Sequence, residues 1–208
     1  MPRKYLILIA LSLGIVAMDQ WTKYLVTGAL TTRFDDRSGL FDRLGALYGT
    51  APPEGLDGNH FRSRRSITLS ERFFRLRYAE NPGAAWGLFR TLPESVRGPL
   101  FHLVSLGAVA LITYYFTKLS GTARAERWAL YGLPLVMGGA IGNYVDRLAR
   151  GFVIDFLEAH WMDRAAWPSF NIADTAICIG VGMLVVDAFA RRERKGATPA
   201  SVPPSATP

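Results

Sequence analysis

Four aspartates set the chemical question. Asp19, Asp146, Asp155 and Asp174 sit in or beside strongly apolar stretches of a 208-residue chain that is half hydrophobic. Asp155 lies in GFVIDF (151–156), among Phe152, Val153, Ile154 and Phe156, and Asp174 lies in NIADTAI (171–177). A carboxyl group in apolar surroundings keeps its proton to higher pH, and two such groups facing each other cannot both ionise comfortably. One then carries a proton at neutral pH while the other acts as a base. That division of roles suits hydrolysis of a peptide bond. The ionised carboxylate takes a proton from water, while the protonated one polarises the scissile carbonyl and later supports the leaving nitrogen.

Competing chemistries lack their parts. His60, His102 and His160 are scattered and show no H-E-x-x-H spacing for a metal. Neither a metal nor another cofactor is expected. The lone Cys178, in TAICIGVGML, has no basic neighbour in its segment to make it a nucleophile, and reads as a small hydrophobe on a buried helix. By elimination the chemistry belongs to aspartates.

The elements that must position them are membrane spans. Residues 98–117 hold no Asp, Glu, Lys or Arg, and residues 128–145 hold none either. Helices of roughly 20 apolar residues cross about 30 Å of hydrocarbon. Residues 5–26 and 172–189 complete a set of four expected spans. The first lacks a small-residue cleavage site and runs into Asp19-Gln20, which favours a retained helix over a cleaved leader. Arg3 and Lys4, then Lys118, Arg124 and Arg127, then Arg191, Arg192, Arg194 and Lys195 flank the spans on one side, so both termini are expected in the cytoplasm. The segments 28–97 and 148–170 then lie outside. Asp19, Asn143, Asp146, Arg147, Asp155, Asn171 and Asp174 converge near the outer ends of the helices. Polar groups at such a depth are costly and mark function by default. The bland reading makes Asp146-Arg147 a structural ion pair at a helix end, and Asp19, beside Gln20 and Lys23, an interfacial residue.

Outside the spans, 39–49 (GLFDRLGALYG) has apolar residues at helical spacing, which suits a short helix along the membrane surface. Residues 72–81 alternate as a half-buried strand and, with 66–69, predict a small sheet. Gly138-x-x-x-Gly142 offers a small-residue face for close helix packing. The net charge of +7 is dispersed over loops and flanks, so lipid headgroups rather than nucleic acid are the expected partner. A single domain over 1–192 and a disordered cytoplasmic tail over 193–208 are expected, the tail having nothing apolar to bury.

Four stretches in order, MDQWTK (18–23), ENPGAAWGL (80–88), GNYVDRLARGFVIDF (142–156) and WPSFNIADTAI (167–177), give the chain a resemblance to the lipoprotein signal peptidases of bacteria, signal peptidase II. The resemblance implies a polytopic aspartic endopeptidase of the inner membrane with four transmembrane helices, an extracytoplasmic β-cradle and a surface helix. It implies Asp155 and Asp174 as the catalytic dyad. Asn81, Asn143 and Asn171 would order the dyad and the substrate backbone, and Arg147 would stand beside the site with Asp146 supporting it. Asp19, Lys23, Gly83 and Ala173 fall in the same motifs as supporting positions. The implied substrate is a diacylglyceryl-prolipoprotein, cut before its lipidated cysteine at the outer leaflet by a monomeric enzyme. The chain departs from the family pattern in an apparent insertion over 35–68 and in Glu80-Asn81-Pro82, where Tyr-Asn-Thr is more frequent. Those departures admit a specialised paralogue. Rival classes are a metal-dependent lipid-headgroup transferase of the CDP-alcohol type and a non-enzymatic membrane carrier.

Overall fold

A computed structural model describes residues 2–49, 60–64, 66–84, 88–89, 91–122, 126–162 and 164–196. The described residues form α1 (Arg3–Leu30), α2 (Leu40–Tyr48), β1 (Ile67–Ser70), β2 (Phe74–Asn81), α3 (Glu94–Lys118), α4 (Arg127–Arg150), β3 (Val153–Trp161), β4 (Ala165–Ala166) and α5 (Ile172–Gly196). Among the described residues, three helices are long and apolar enough to cross a membrane: Arg3–Leu30, Glu94–Lys118 and Ile172–Arg191. Their outward faces carry large apolar side chains, among them Leu13 and Trp21 on α1, Leu103 and Leu111 on α3, and Val185 and Phe189 on α5. A continuous apolar surface of that size fits a lipid solvent.

The expected third span became α4, and it differs from the other helices. It buries residues on most of its faces, and it ends in the polar run Asn143, Asp146, Arg147 and Arg150. Small residues let its neighbours approach. A Cβ at Gly138 would lie 2.8 Å from the Ser12 carbonyl oxygen of α1, so the small-residue face over 138–142 does pack helix on helix. The same holds where Gly132 meets Gly180 of α5. The Ser12 hydroxyl donates to the Pro134 carbonyl at 3.0 Å, joining α1 to α4 inside the bundle.

Gly151 caps α4 in the left-handed conformation (φ 79°), its N–H bonded to the Arg147 carbonyl. Glycine bears that conformation without a Cβ penalty. The chain therefore reverses at once into β3. Asp155 lies on this strand and not at a helix end, where the sequence reading had placed it. The reason is local: two residues past the glycine cap, the run VIDF is β-branched and aromatic enough to pair with β2.

The sheet is antiparallel throughout, in the order β1-β2-β3-β4. Ala79 pairs with Asp155, Glu80 with Ile154 and Asn81 with Val153. Alternation along paired strands sends Asn81 to the same face as Asp155. The expected strand over 72–81 and its small sheet are present. Inside, Val26, Leu30, Phe34, Leu47, Phe61, Tyr78, Phe152, Ile154 and Phe156 form one core under the sheet and α2, and Leu8, Ile112, Phe116, Leu130 and Met137 form a second within the bundle. Asp19 and Lys23 sit on α1 between the two.

Cys178 is exposed on the outer face of α5, so the expected buried setting is corrected. In lipid, an apolar outward face is as favourable as an inward one. The expected disordered tail lies outside the described residues from 197 onward, and so do 50–59 and 65 of the apparent insertion.

Candidate active site

The start of α5 positions the first carboxylate. Asn171 is its N-cap, and the Asn171 side-chain oxygen accepts the Asp174 N–H at 2.9 Å. Asp174 answers through Oδ2, which accepts the Asn171 N–H at 3.2 Å. This reciprocal capping arrangement needs an Asn and a carboxylate three residues apart, as N-I-A-D supplies. The capping places Asp174 in the first turn of α5.

Asn171 then ties both carboxylates together. Its amide nitrogen donates to Asp155 Oδ1 at 2.8 Å, to the Asn143 side-chain oxygen at 3.1 Å and to the Ile154 carbonyl at 3.3 Å. Asn143, on α4, donates to Asp174 Oδ1 at 2.7 Å. Asn81, at the end of β2, donates to Asp155 Oδ2 at 3.1 Å. Three asparagines from three elements thus hold two carboxylates, with no Lys or Arg bonded directly to either among the described residues. Burial pushes the Asp155 carboxyl up to about 8, and the negative charge of Asp174 adds to that rise. The bonds from Asn81 and Asn171 and the charge of Lys23 oppose it.

A loop crosses the site. Gly83 N–H donates to the Asn81 side-chain oxygen at 3.0 Å, and Arg147 donates to the Gly83 carbonyl at 3.0 Å. The Arg147 guanidinium also lies 4.5 Å from the Phe101 ring centroid, and its Nε is buried with no hydrogen-bond partner. Arg147 is therefore held between the Gly83 loop and Phe101 with one donor to spare.

Beneath the dyad lies a second set of charges, fully enclosed. Lys23 Nζ is 2.7 Å from Asp19 Oδ2 and 2.8 Å from Asp146 Oδ2, and Arg150 pairs with Asp146 Oδ1. Asp19 Oδ1 accepts the Ala173 N–H at 3.0 Å, and Asp146 Oδ2 accepts the Ile154 N–H at 3.1 Å. One acid holds the start of α5 and the other holds β3 beside Asp155. The expected Asp146–Arg147 pair is thus corrected: Asp146 bonds Lys23 and Arg150, and Arg147 turns to the Gly83 loop. Adjacent helix positions point about 100° apart, whereas positions four apart share a face.

All of the expected site residues, Asp19, Lys23, Asn81, Gly83, Asn143, Asp146, Arg147, Asp155, Asn171, Ala173 and Asp174, meet in this one region. Sequence reading missed three participants. Gln20 bonds Asp19, Asp146 and the Gly142 carbonyl; Tyr48 donates to Gln20 at 2.9 Å; Arg150 donates to the Leu47 carbonyl at 3.1 Å. Arg150 was signalled by its i+4 spacing from Asp146, and Gln20 by its place beside Asp19. Nothing local marks Tyr48.

Comparison with known proteins points the same way. The family model described as signal peptidase (SPase) II matches residues 11–190. A lipoprotein signal peptidase of Anaeromyxobacter sp. (strain Fw109-5) is 46% identical over 189 residues, covering 88% of this chain and 84% of the relative. One of Geobacter sulfurreducens is 34% identical over 195 residues, covering 94% and 99%. Among solved structures, a bacterial membrane enzyme determined by the in meso method at 2.3 Å resolution aligns with a TM-score of 0.64 at 22% identity, covering 94% of this chain and 93% of that one. A second, at 1.9 Å resolution, aligns with a TM-score of 0.57 at 23% identity, covering 87% and 91%.

Proposed function

Because the chain belongs to the signal peptidase II family, membrane-spanning proteases of lipoprotein processing, we propose that it removes the signal peptide from diacylglyceryl-modified prolipoproteins with Asp155 and Asp174 as its catalytic residues. The observation that carries this reading is the amide-only setting of the two carboxylates, which share Asn171, together with the burial that pushes the Asp155 carboxyl up to about 8.

In the proposed reaction Asp174, at the helix N-terminus, takes a proton from water, and the water oxygen attacks the scissile carbonyl. Asp155 gives its proton to the carbonyl oxygen as the tetrahedral intermediate forms. Collapse of that intermediate breaks the carbon–nitrogen bond, and the proton held by Asp174 passes to the leaving nitrogen. Asp155 regains its own proton as the carbonyl re-forms. Asn81 and Arg147 hold the substrate backbone against the Gly83 loop. The leaving amine belongs to the lipidated cysteine.

The topology proposed with this mechanism has four spans, α4 being the one sheathed by the others. Both termini are cytoplasmic and the dyad sits at the outer leaflet of the inner membrane. The sheet serves as a cradle for the signal peptide. Helix α2, with Leu40 and Phe41 exposed, rests on the membrane surface. The lipid tails then stay in the bilayer while the scissile bond reaches the carboxylates, and one copy of the chain suffices. The test is a gel-shift assay in detergent with a diacylglyceryl-prolipoprotein and the same protein lacking the lipid, each with and without chelator. Cleavage of the lipidated form alone, unchanged by chelator, is expected. Equal cleavage of both forms, or loss of cleavage on chelation, overturns the reading.

A further inference from the structure

Glu80 is a buried carboxylate that the proposed reaction does not use. Its side chain is 4% exposed. It accepts hydrogen bonds from the backbone N–H groups of His60 (2.7 Å) and Phe61 (2.9 Å) and from the Tyr78 hydroxyl (2.9 Å), and it lies 2.8 Å from His60 Nδ1. No Lys or Arg pairs with it among the described residues. Burying a carboxylate is costly unless donors replace its water, and here three of the four donors come from a single short segment, 60–61.

That segment is fixed on its other sides too. Phe61 is buried, faces the Tyr78 ring and meets Phe152 edge-on; the His60 ring stacks on Phe152 at 4.8 Å; Arg33 covers Phe61. Thr32 N–H donates to the Arg62 carbonyl and Arg64 N–H to the Leu30 carbonyl, which ties 60–64 to the end of α1. Residues 60–61 therefore brace β2 and also Phe152, the residue that leads into β3. Successive strand side chains alternate in face. Glu80 points to this brace, and Asn81, the next residue, points to Asp155.

We infer that Glu80 is a positioning residue that locks the 60–61 segment onto β2 and so fixes the Asn81 amide on the Asp155 carboxylate. The inference rests on the proposed role of Asp155. It also gives the far end of the outer loop a part in the chemistry, through Glu80.

The test compares Glu80→Ala, His60→Ala, Asn81→Ala and the double variant Glu80→Ala/Asn81→Ala with wild type, using Asp36→Asn as an exposed control. Cleavage of diacylglyceryl-prolipoprotein and a carbon-13 NMR titration of the Asp155 carboxyl are both followed. Glu80→Ala is expected to lower kcat about tenfold, the worth of one hydrogen bond to a charged group, with KM little changed. The Asn81 N–H favours the ionised carboxylate, so its displacement should move the Asp155 titration to higher pH. The high-pH limb of kcat should move with it. The double variant should be no worse than Asn81→Ala alone, because both changes remove the same contact. His60→Ala, which keeps both backbone donors, should show the same changes in smaller measure. It carries the test if Glu80→Ala does not fold. An unmoved Asp155 titration in both Glu80→Ala and His60→Ala, or losses that simply multiply in the double variant, overturns the inference. The titration is read whether or not substrate is cut. Failure of the proposed function, seen as uncut substrate with wild type, is thereby distinguished from failure of the Glu80 role.

Discussion

Two pairs of aspartates stand within one hydrogen-bonded relay and are treated in opposite ways. Asp19 and Asp146 are matched by cations: both bond Lys23, and Asp146 bonds Arg150 as well, with all four side chains fully enclosed. Asp155 and Asp174 are matched by amides, from Asn81, Asn143, Asn171 and one backbone N–H. Asn143 joins the two sets, since its side-chain oxygen accepts from Lys23 at 3.3 Å while its nitrogen donates to Asp174. A carboxylate paired with a buried cation serves as a strut. One held by neutral donors in an apolar niche keeps a proton that can move. The residue type is shared, and the partner decides between structure and chemistry.

The largest expected effect breaks the chemical side of that comparison. Asp155→Asn preserves shape and removes the proton donor; cleavage should fall by about a thousandfold or more while the protein stays folded, as read by single-turnover kinetics beside a melting curve. Next comes the structural side. Lys23→Met strands Asp19 as a buried negative charge and leaves Asp146 with Arg150 alone, and should destabilise the protein by about 3–5 kcal/mol, seen as a lowered melting temperature in detergent.

A third prediction separates the pairs by pH. Burial pushes the Asp155 carboxyl from an ordinary value of 3.8 up to about 8. Between those values the folded state binds the extra proton, so its stability falls as pH rises. The slope should be at most about 1.4 kcal/mol per pH unit. Asp155→Asn should flatten it and melt higher than wild type at pH 8, which differential scanning fluorimetry reads. The smallest effect is expected at Cys178→Ser on the lipid face, where cleavage and melting should change by less than about twofold and a degree or two.

How far the sequence spoke depended on how each signal is encoded. The convergence of Asp155, Asp174 and their asparagines was legible because polar groups near apolar spans are costly and so stand out. The alternation over 74–81 was legible because β2 is half covered. Asp146 was assigned the wrong partner because the sequence shows adjacency, while pairing follows the helix face and, for Lys23, a contact between helices 123 residues apart in sequence. Asp155 was misplaced on a helix because the first four residues of β3 are all buried, which erases the period-2 pattern. The facing of Cys178 was illegible for the opposite reason: α5 is apolar inside and out where lipid replaces water. Glu80 read as a departure from a motif, and its partner His60 lies 20 residues away in sequence, on the far side of β1.

The most direct measurement sets Asp174→Asn against Asp146→Asn, recording cleavage of diacylglyceryl-prolipoprotein per folded molecule and the melting temperature of each. Asp174→Asn should lose about a thousandfold or more in rate and melt within a few degrees of wild type, while Asp146→Asn should melt far lower and its folded fraction keep a rate within about tenfold. An Asp174→Asn protein that cleaves at the wild-type rate, or a stably folded Asp146→Asn protein that does not cleave at all, would contradict the assignment of chemistry to one pair and structure to the other.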